Sequence, residues 1–309
     1  MLIRVLFIGL GSIAKRHIIA LKSIEAEAEI FALRSSLESN HVEGINSIYD
    51  ISEIPNDLSF AVISNPTFLH KESILKMLSF NIPLLIEKPL ANTLNDAHFI
   101  NDNNKTSNII SLISCNLRFH PCIQYLKQHL SNIDWIEINA SCGSYLPDWR
   151  PSYDYKENYS AHREQGGGVD LDLIHELDYL FYLIGGPNKI HSHKKNLSSL
   201  GINSPDYAHY LLEYDQGIVT VALNYYRKTP KRTIEIITNN DVLIVDLLKY
   251  SIFSETEGKM IYSEKIERNE LLKRQLSYFL ECIKNNQNTM NPIREAYEVL
   301  KICLNEESK

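Results

Sequence analysis

The chain has 309 residues, of which 44% are hydrophobic and 22% charged, and its formal net charge at pH 7 is −7. This length and composition suit a globular protein that buries a full core and divides into two domains. The net negative charge, with basic residues scattered along the chain, excludes a general attraction to nucleic acid or to anionic membrane surfaces.

The first apolar stretch, residues 5–10, predicts a buried strand. It is far shorter than the roughly 18 apolar residues that a membrane helix needs. Lys15, Arg16 and His17 follow it where a signal peptide would have its cleavage site. The five cysteines are odd in number and include no C-x-x-C pair, which favours free thiols in a reducing cytoplasm.

The pattern of apolar residues changes along the chain. Apolar runs alternate with helical stretches up to about residue 116, which predicts a parallel sheet flanked by helices. From residue 135 onward, alternating segments such as "GIVTVALNYY" and "RTIEIIT" predict a mostly antiparallel, open sheet. Two helices are expected near the end, at 266–284 and 292–305. The predicted class is α/β, with a doubly wound parallel sheet in a first domain of residues 1–116 and a mostly antiparallel open sheet in a second, α+β domain of residues 117–309.

The segment "GLGSIA" at residues 9–14 has the form G-x-G-x-x-A directly after the first predicted strand. The first glycine permits a tight turn, the second lets the backbone approach a pyrophosphate, and the alanine lets the next helix pack closely on the strand. At this position the motif predicts a Rossmann domain that binds a dinucleotide, with a purely structural glycine turn as the alternative. The expected contacts are Gly9, Gly11, Ser12 and Ile13.

The end of the second predicted strand, "ALRSS", bears on which dinucleotide binds. Asp or Glu at this place usually meets a ribose 2′-hydroxyl, whereas arginine suits a 2′-phosphate. Arg34 and Ser35 therefore favour NADP(H), with NAD(H) possible. The alternative is that Arg34 is a solvated surface residue.

Polar residues also follow the fourth and fifth predicted strands, where open α/β sheets bind ligands. A lysine at such a strand end can polarise a carbonyl or orient a hydroxyl, although a lone lysine there is more often a surface charge. The candidate cofactor contacts in these two segments are Asn65, Pro66, Thr67, His70, Glu87 and Lys88.

Five motifs occur in the order "GLGSIAKRH", "SNPTFLH", "EKPLA", "NLRFHP" and "GGGVDLDLIHELD". In this order they resemble the Gfo/Idh/MocA family of sugar and cyclitol oxidoreductases over essentially the whole chain. The resemblance implies an N-terminal domain that binds NAD(H) or NADP(H), and a C-terminal sheet that often joins subunits into a homodimer or homotetramer. It implies that Lys88 lies beside substrate and nicotinamide and that its bond to Pro89 is cis. It further implies that His70 lies near the nicotinamide or its ribose, and that Arg118 lies at the crossover between domains, as a further cofactor contact.

The acidic segment 166–178 carries the predicted acid/base pair. Asp172 precedes His175 by three residues, whereas many family members have D-x-x-x-H, so the histidine is assigned by the "ELD" that follows it. Imidazole titrates near neutral pH and suits the proton transfer that accompanies hydride transfer. We predict that His175 is the principal acid/base, that Asp172 orients it from the same helix face, and that Lys88 hydrogen-bonds the reacting oxygen. A structural histidine and a metal site are the alternatives. No metal is expected, and Asp170, Glu176 and Asp178 are interpreted as structural.

The segment 143–165 is dense in aromatic and turn-forming residues. Sugars bind against aromatic faces, with charged groups on their oxygens. We expect about three of seven candidates to contact substrate and the others to pack in the loop or against a second subunit. The segment resembles family members linked to bacterial surface polysaccharides, which implies a nucleotide-linked or acidic sugar with Arg150 or Arg163 as its anion partner. The seven candidates are Tyr145, Trp149, Arg150, Tyr153, Tyr155, Tyr159 and Arg163.

These features together predict an NAD(P)-dependent oxidoreductase. It would transfer a hydride between nicotinamide and a hydroxyl or carbonyl carbon of a sugar, sugar-nucleotide or cyclitol-like substrate. Two other classes remain open: a catalytically silent protein that senses NAD(P), and a metal-dependent lyase or hydrolase that uses the acidic residues at 170–178. Neither nucleic acid nor a membrane is expected as a partner.

Overall fold

A computed structural model describes residues 2–34, 42–267 and 269–305 of the protein. The chain forms two compact units. The first contains the residues up to Asn116 together with Glu267–Tyr297, and the second contains Leu117–Ile266 together with the residues from Glu298 onward.

The first unit contains a six-stranded parallel sheet in the order β3-β2-β1-β4-β5-β6. This is the doubly wound order, in which ligands bind where the strand order reverses, between β1 and β4. The central strands are buried almost throughout because helices cover both faces of such a sheet. The strands are β1 Arg4–Ile8, β2 Glu29–Leu33, β3 Ile45–Ile48, β4 Phe60–Ile63, β5 Leu84–Ile86 and β6 Ser111–Ile113. The helices between them are α1 Ser12–Ile24, α2 His70–Leu78 and α3 Leu94–Ser107.

The second unit contains an eight-stranded sheet in the order β14-β13-β12-β11-β7-β10-β9-β8. The β7–β10 pair is parallel and the other pairs are antiparallel. The strands are β7 Trp135–Tyr145, β8 Lys189–Lys195, β9 Tyr207–Glu213, β10 Ile218–Asn224, β11 Tyr226–Thr238, β12 Val242–Asp246, β13 Ser251–Ser254 and β14 Lys259–Ser263. The remaining helices of the whole chain are, in order, α4 Pro121–His129, α5 Val169–Asp172, α6 His175–Ile184, α7 Glu270–Asn285 and α8 Ile293–Leu304. The predicted fold class is confirmed.

Helix α7 belongs to the first unit, although the predicted boundaries assigned it to the C-terminal domain. Its apolar residues Leu272, Leu276 and Phe279 recur at helical spacing and join the same core as strands β1 and β4. The Phe279 ring meets Phe60 edge-on, with 5.4 Å between ring centroids. Burial of this apolar face explains why the helix packs on the first sheet, and a division at 116/117 alone does not describe the units.

Two further expectations concern the chain as a whole. All five cysteines are buried and none is in a disulfide, and the sequence predicted thiols outside disulfides. Among the described helices, none combines the length and the apolar character needed to cross a bilayer.

Candidate active site

The turn from β1 into α1 requires glycine at its first position. Gly9 has a φ of +87°, and a Cβ built there would lie 2.7 Å from the Asn65 backbone. The Ser64 hydroxyl also donates to Gly9 O, at 2.9 Å. The turn is therefore packed against the loop that follows β4, at the point where the strand order reverses.

Gly11 stands in open space. Among the described residues, a Cβ built there would meet no atom within 4 Å, and no side chain caps the helix that begins at Ser12. The first intrahelical bond runs from the Lys15 N–H to Gly11 O at 3.2 Å, so the amides before it point out of the helix end. Ala14 is fully buried beneath the turn. Open space beside an uncapped helix N-terminus fits a pyrophosphate, so these residues can hold the dinucleotide that the fold implies.

Arg34 follows β2 directly. Its N–H donates to Ile48 O at 2.9 Å and continues the pairing of β2 with β3. The side chain is partly buried. Ser35, the second residue of the predicted 2′-phosphate contact, lies outside the described residues.

His70 is buried between two loops. Its Nδ1 lies 3.0 Å from Pro89 O and its Nε2 lies 3.1 Å from Asn65 O. Burial lowers the pKa of His70 against the opposing effects of these carbonyls and of Glu87, and a neutral imidazole can donate to only one of the two oxygens. The geometry gives His70 a positioning role, because it ties the loop after β4 to the Lys88–Pro89 segment.

The other candidates after β4 divide into two kinds. The Asn65 side chain donates to Ser73 Oγ at 2.8 Å and so faces α2, which favours a structural role over the predicted cofactor contact. Pro66 is exposed and Thr67 partly exposed on the same loop. Both residues are therefore accessible to a ligand.

Glu87 belongs to a polar network beneath the end of β5. Its Oε1 lies 2.5 Å from Nε2 of His17, which is fully buried. Burial acts to raise the pKa of Glu87, but His17, Ser114 and Lys88 together hold it below its ordinary value. Gln275 of α7 donates to Ser114 Oγ at 2.9 Å. The network fixes the carboxylate in its charged form next to Lys88.

Lys88 is partly exposed at the end of β5, and its bond to Pro89 is cis, as the resemblance implied. Its neighbours Glu87 and Pro89 are both held by buried histidines, His17 and His70. The lysine is therefore carried on a short segment that is anchored on both sides.

In the second unit, the glycines before α5 serve a packing need. A Cβ on Gly167 would run into carbonyl oxygens of Tyr159, Ser160 and His162, and Gly168 has a φ of +126°. The Arg163 guanidinium lies 2.9 Å from Asp170 Oδ1 and donates to Gly167 O at 3.2 Å.

Lys194 lies 3.5 Å from the same carboxylate, which is fully buried. Arg163 is thus engaged in closing the glycine turn, because a buried carboxylate needs cationic partners. This favours a structural role over the predicted contact with a substrate anion.

Asp172 and His175 do not lie on one continuous helix. Helix α5 ends at Asp172, Leu173 and Ile174 form a turn, and α6 begins at His175. The prediction of a shared helix face at spacing i, i+3 is therefore wrong, because the turn breaks the helical period. His175 is partly exposed, whereas the residues on either side of it are buried.

Asp172 accepts hydrogen bonds from two phenols. Tyr159 Oη donates to Oδ1 at 3.1 Å, and Tyr225 Oη donates to Oδ2 at 2.5 Å. The negative charge of Asp172 and burial raise the pKa of Tyr159, and burial with the same carboxylate raises the pKa of Tyr225. Both phenols stay protonated at neutral pH, so they act as donors that hold the carboxylate.

Arg118 is buried with 1% of its side chain exposed, and it forms a two-pronged ion pair with Asp178. Its Nε and Nη2 lie 2.9 and 2.8 Å from the two carboxylate oxygens, and its guanidinium stacks over the Tyr182 ring. A planar guanidinium matched to a buried carboxylate is a stable internal contact. The geometry favours this structural role over the predicted cofactor contact, and it agrees with the structural interpretation of Asp178.

Glu176, next to His175, forms a buried pair with a strand of the sheet. Arg232 Nε of β11 lies 2.8 Å from Glu176 Oε1 and 3.3 Å from Cys142 Sγ. Glu176 is fully buried, and burial raises its pKa although Arg232 opposes the shift. The pair anchors the first turn of α6 and hence the residue that begins it.

The predicted substrate segment contains both anchored and accessible residues. Tyr155 Oη donates to Leu200 O at 2.9 Å. Trp149 Nε1 donates to Ser144 Oγ at 2.8 Å, and its ring meets Tyr225 edge-on. Arg150 is exposed and Tyr153 is 63% exposed, whereas Tyr145 lies beneath the ammonium of Lys228. Three members of the segment are linked to Asp172. Tyr159 donates to it directly, Trp149 packs against Tyr225, and Arg150 directly follows Trp149.

Two family models match the chain. The NAD-binding Rossmann fold of the oxidoreductase family matches residues 3–111, and the C-terminal alpha/beta domain of that family matches residues 136–303. The chain belongs to the Gfo/Idh/MocA family. The resemblance carried by the five sequence motifs is confirmed.

Curated relatives of this family align with part of the chain. Glucose-6-phosphate 3-dehydrogenase of Bacillus subtilis is 26% identical over 186 residues, which are 57% of this chain and 52% of the relative. Levoglucosan dehydrogenase of Pseudarthrobacter phenanthrenivorans is 27% identical over 144 residues, which are 45% of this chain and 37% of the relative. The alignments thus span about half or less of these curated relatives.

Solved structures match over nearly the full length. Levoglucosan dehydrogenase in complex with NADH has a TM-score of 0.86 at 16% identity, covering 98% of this chain and 95% of that one. UDP-N-acetylglucosamine 3-dehydrogenase from Acidithiobacillus ferrooxidans has a TM-score of 0.79 at 18% identity, covering 98% and 96%. At 16% and 18% sequence identity, these structural matches establish that the fold is shared.

Within this Gfo/Idh/MocA chain, three residues that support the candidate site were not predicted from the sequence. They are His17, at the start of the chain, and Tyr225 and Arg232, in the segments that predicted the second sheet. No local signal marks them, because each one pairs with a residue at least 50 positions away.

Proposed function

We propose that the protein is an NAD(P)-dependent oxidoreductase that transfers a hydride between nicotinamide and a hydroxyl or carbonyl carbon of a sugar-like substrate. The observation that carries the proposal is the Gly9–Gly11 turn, which is tightly packed at Gly9 and open at Gly11 beside the start of α1. Membership of an oxidoreductase family supports it, as do relatives whose names describe sugar dehydrogenases.

The residues of the first unit would hold the cofactor by backbone and surface groups. The amides of Ser12 and Ile13 would receive the pyrophosphate. Pro66 and Thr67 are accessible on the neighbouring loop. When bound, the nicotinamide ring supplies or accepts the hydride.

The chain's own groups would handle the proton. Oxidation of an alcohol requires a base for the hydroxyl proton, and imidazole titrates near neutral pH. We assign this role to His175, which is accessible at the start of α6. Lys88, anchored beside Glu87, would hydrogen-bond the reacting oxygen. Asp172, held by two phenols, would provide a fixed negative charge three residues before His175.

Replacing Lys88 or His175 tests the assignment. Lys88→Ala and His175→Ala should each lower kcat by about 100-fold or more, the usual contribution of a positioned acid or base, while the affinity for NADPH or NADH stays unchanged. His129→Ala, an exposed histidine on α4, is the matched control. Turnover would be measured with a panel of sugars, sugar phosphates and sugar nucleotides.

The outcomes separate the three function classes. Full activity in either variant removes that residue from the mechanism. Tight cofactor binding with no turnover of any substrate would favour a sensing protein. Activity that disappears with chelator and persists without nicotinamide would favour a metal-dependent lyase or hydrolase.

We further propose that the cofactor is NADP(H), because Arg34 stands at the end of β2 where a guanidinium can pair with a 2′-phosphate. Fluorescence titration should find NADPH bound more tightly than NADH, and Arg34→Ala should weaken NADPH binding alone by about tenfold or more. Lys22→Ala, on the last turn of α1, is the control. Equal binding of both cofactors, unaffected by Arg34→Ala, would overturn the preference.

The open face of the eight-stranded sheet is the proposed contact with further copies of the chain, as a homodimer or homotetramer. Large apolar side chains such as Phe253, Met260 and Ile218 are 36%, 55% and 38% exposed on it, and an exposed apolar surface of this kind favours association. The molar mass from light scattering tests this proposal, and a monomer at micromolar concentration would contradict it.

A further inference from the structure

Three exposed cations near the substrate segment have no acidic partner. Arg150, Arg227 and Lys228 are exposed and form no salt bridge within the described part of the chain. Arg163, by contrast, is engaged by buried Asp170. In a chain whose net charge is −7, three cations that form no ion pair among the described residues keep their positive charge available to an anionic ligand.

The cations emerge at one end of β7. Strand β11 pairs with β7 at Tyr226↔Tyr145 and again at Lys231↔Gly143, so residues 227–230 protrude from the ladder between these pairs. At the same end, β7 passes directly into the turn Leu146–Trp149, which Arg150 follows. The Lys228 ammonium lies 3.0 Å from the centroid of the Tyr145 ring.

This end of the sheet is also where Asp172 is held. Tyr225, the residue before β11, donates to Asp172 and packs edge-on against Trp149, with 5.4 Å between ring centroids. Lys228 is three residues further on, within about 10 Å of Tyr225 because an extended chain advances about 3.3 Å per residue. That span suits a monosaccharide whose ring lies near Asp172 and whose charged group reaches the cations.

Arg150 approaches the same cluster from the other loop. It directly follows Trp149, whose ring packs edge-on against Tyr225. Arg150 is therefore next in the chain to a residue that contacts a phenol bonded directly to Asp172. The two basic segments lie beside aromatic groups that can pack against a sugar ring.

We propose that the substrate is a phosphorylated sugar whose phosphate is bound by Arg150, Arg227 and Lys228. A guanidinium can grip two phosphate oxygens at once, and an ammonium adds a compact positive charge. The inference rests on the proposed function and names the substrate class of the same site. A sugar phosphate and a nucleotide diphosphate sugar share this chemistry, and the experiment distinguishes them.

The test compares charged and neutral forms of the same sugars. Glucose 6-phosphate would be assayed against glucose, and UDP-N-acetylglucosamine against N-acetylglucosamine, with wild type, Arg150→Ala, Lys228→Ala and the double variant. Each single substitution should raise KM for the phosphorylated substrate by about tenfold and leave kcat nearly unchanged, because it removes one charge-assisted contact to the phosphate. Lys189→Ala, on β8 at the opposite end of the sheet, should have no effect.

A binding measurement keeps this inference separate from the proposed function. Calorimetric titration of the wild type with each phosphorylated sugar, without turnover, should give saturable binding that the double variant loses. Equal use of phosphorylated and neutral sugars would leave the oxidoreductase standing and overturn the phosphate site. Saturation by glucuronate but by neither phosphate would also overturn it. Binding of UDP-N-acetylglucosamine alone would identify a nucleotide diphosphate, and binding of glucose 6-phosphate alone a terminal phosphate.

Discussion

Asp172 differs from an ordinary surface carboxylate because both of its oxygens are occupied by phenols. It is 5% exposed, and Tyr159 and Tyr225 donate to opposite oxygens. A buried carboxylate with two donors is held in one orientation. Its oxygens are therefore fixed in place three residues before His175, without rearrangement.

Asp172→Asn should lower kcat by about 100-fold, because the amide keeps an acceptor oxygen but removes the charge. Tyr225→Phe, the matched variant, keeps the carboxylate and removes one hydrogen bond, at a cost of about 1 kcal/mol in the free energy of unfolding. Steady-state kinetics and thermal melting measure the two effects. Wild-type kcat in Asp172→Asn would assign Asp172 a purely structural role.

Individual arginines show what sequence could and could not predict about the candidate site. Arg118 and Arg163 stand in motifs that suggested ligand contacts, yet Asp178 and Asp170 engage their guanidinium groups. Arg150 stands in the same loop as Arg163 and has no such partner among the described residues. A residue type and its motif predict which contacts an arginine can make. Whether its guanidinium is available to a ligand depends on whether the fold pairs it with a carboxylate.

The β1–α1 turn uses its two glycines for different reasons. Gly9 is confined by the Asn65 backbone and by a positive φ, whereas Gly11 has extended backbone and open space. Glycine at position 9 is therefore required by the fold, whereas glycine at position 11 leaves space for the ligand. Substitutions at the two positions should therefore separate stability from cofactor binding.

Gly9→Ala should lower the free energy of unfolding by about 1–3 kcal/mol, because the new Cβ meets backbone atoms and the residue must adopt a strained φ. Gly11→Ala should melt near the wild-type Tm but lose about tenfold or more in NADPH affinity, because its Cβ would occupy space reserved for the pyrophosphate. Thermal melting and fluorescence titration measure these effects. Unchanged NADPH binding in Gly11→Ala would show that the cofactor does not use this space.

The helical segment around His175 was predicted as one element and is two. The apolar pattern "VDLDLIHELDYLFYLI" contains no glycine or proline to mark a break, so periodicity alone indicates a single helix. The turn at Leu173 and Ile174 places Asp172 toward Tyr225 while Glu176 pairs with Arg232. Tyr225, between β10 and β11, and Arg232, on β11, thus decide the break, and both lie far from it in sequence.

Several tyrosines across the molecule have buried phenols. Burial raises the pKa of Tyr179, Tyr210, Tyr214 and Tyr225, and the charge of Asp172 together with burial raises that of Tyr159. The folded protein keeps these protons above pH 10, where an unfolded chain releases them. Unfolding is then coupled to proton release, so stability falls as pH rises.

Above about pH 10, each such phenol should lower the free energy of unfolding by about 1.4 kcal/mol per pH unit until its folded pKa is reached. Absorbance at the tyrosinate band and circular dichroism, followed together, should resolve a first group of tyrosines that titrate freely and a second group that titrates only as the fold is lost. Titration of all 17 tyrosines near pH 10, with the dichroism unchanged, would contradict this expectation.

The sequence by itself determined the α/β class, the dinucleotide turn, the Lys88–Pro89 segment and the family, because each depends on local periodicity or on a short run of residues with a particular backbone need. Only the tertiary structure decided that α7 packs on the first sheet, that Asp172 is held by Tyr225, and that Arg118 pairs with Asp178. The last two contacts join residues 53 and 60 positions apart. Such contacts follow from the packing of whole elements, and no local pattern in the chain encodes them.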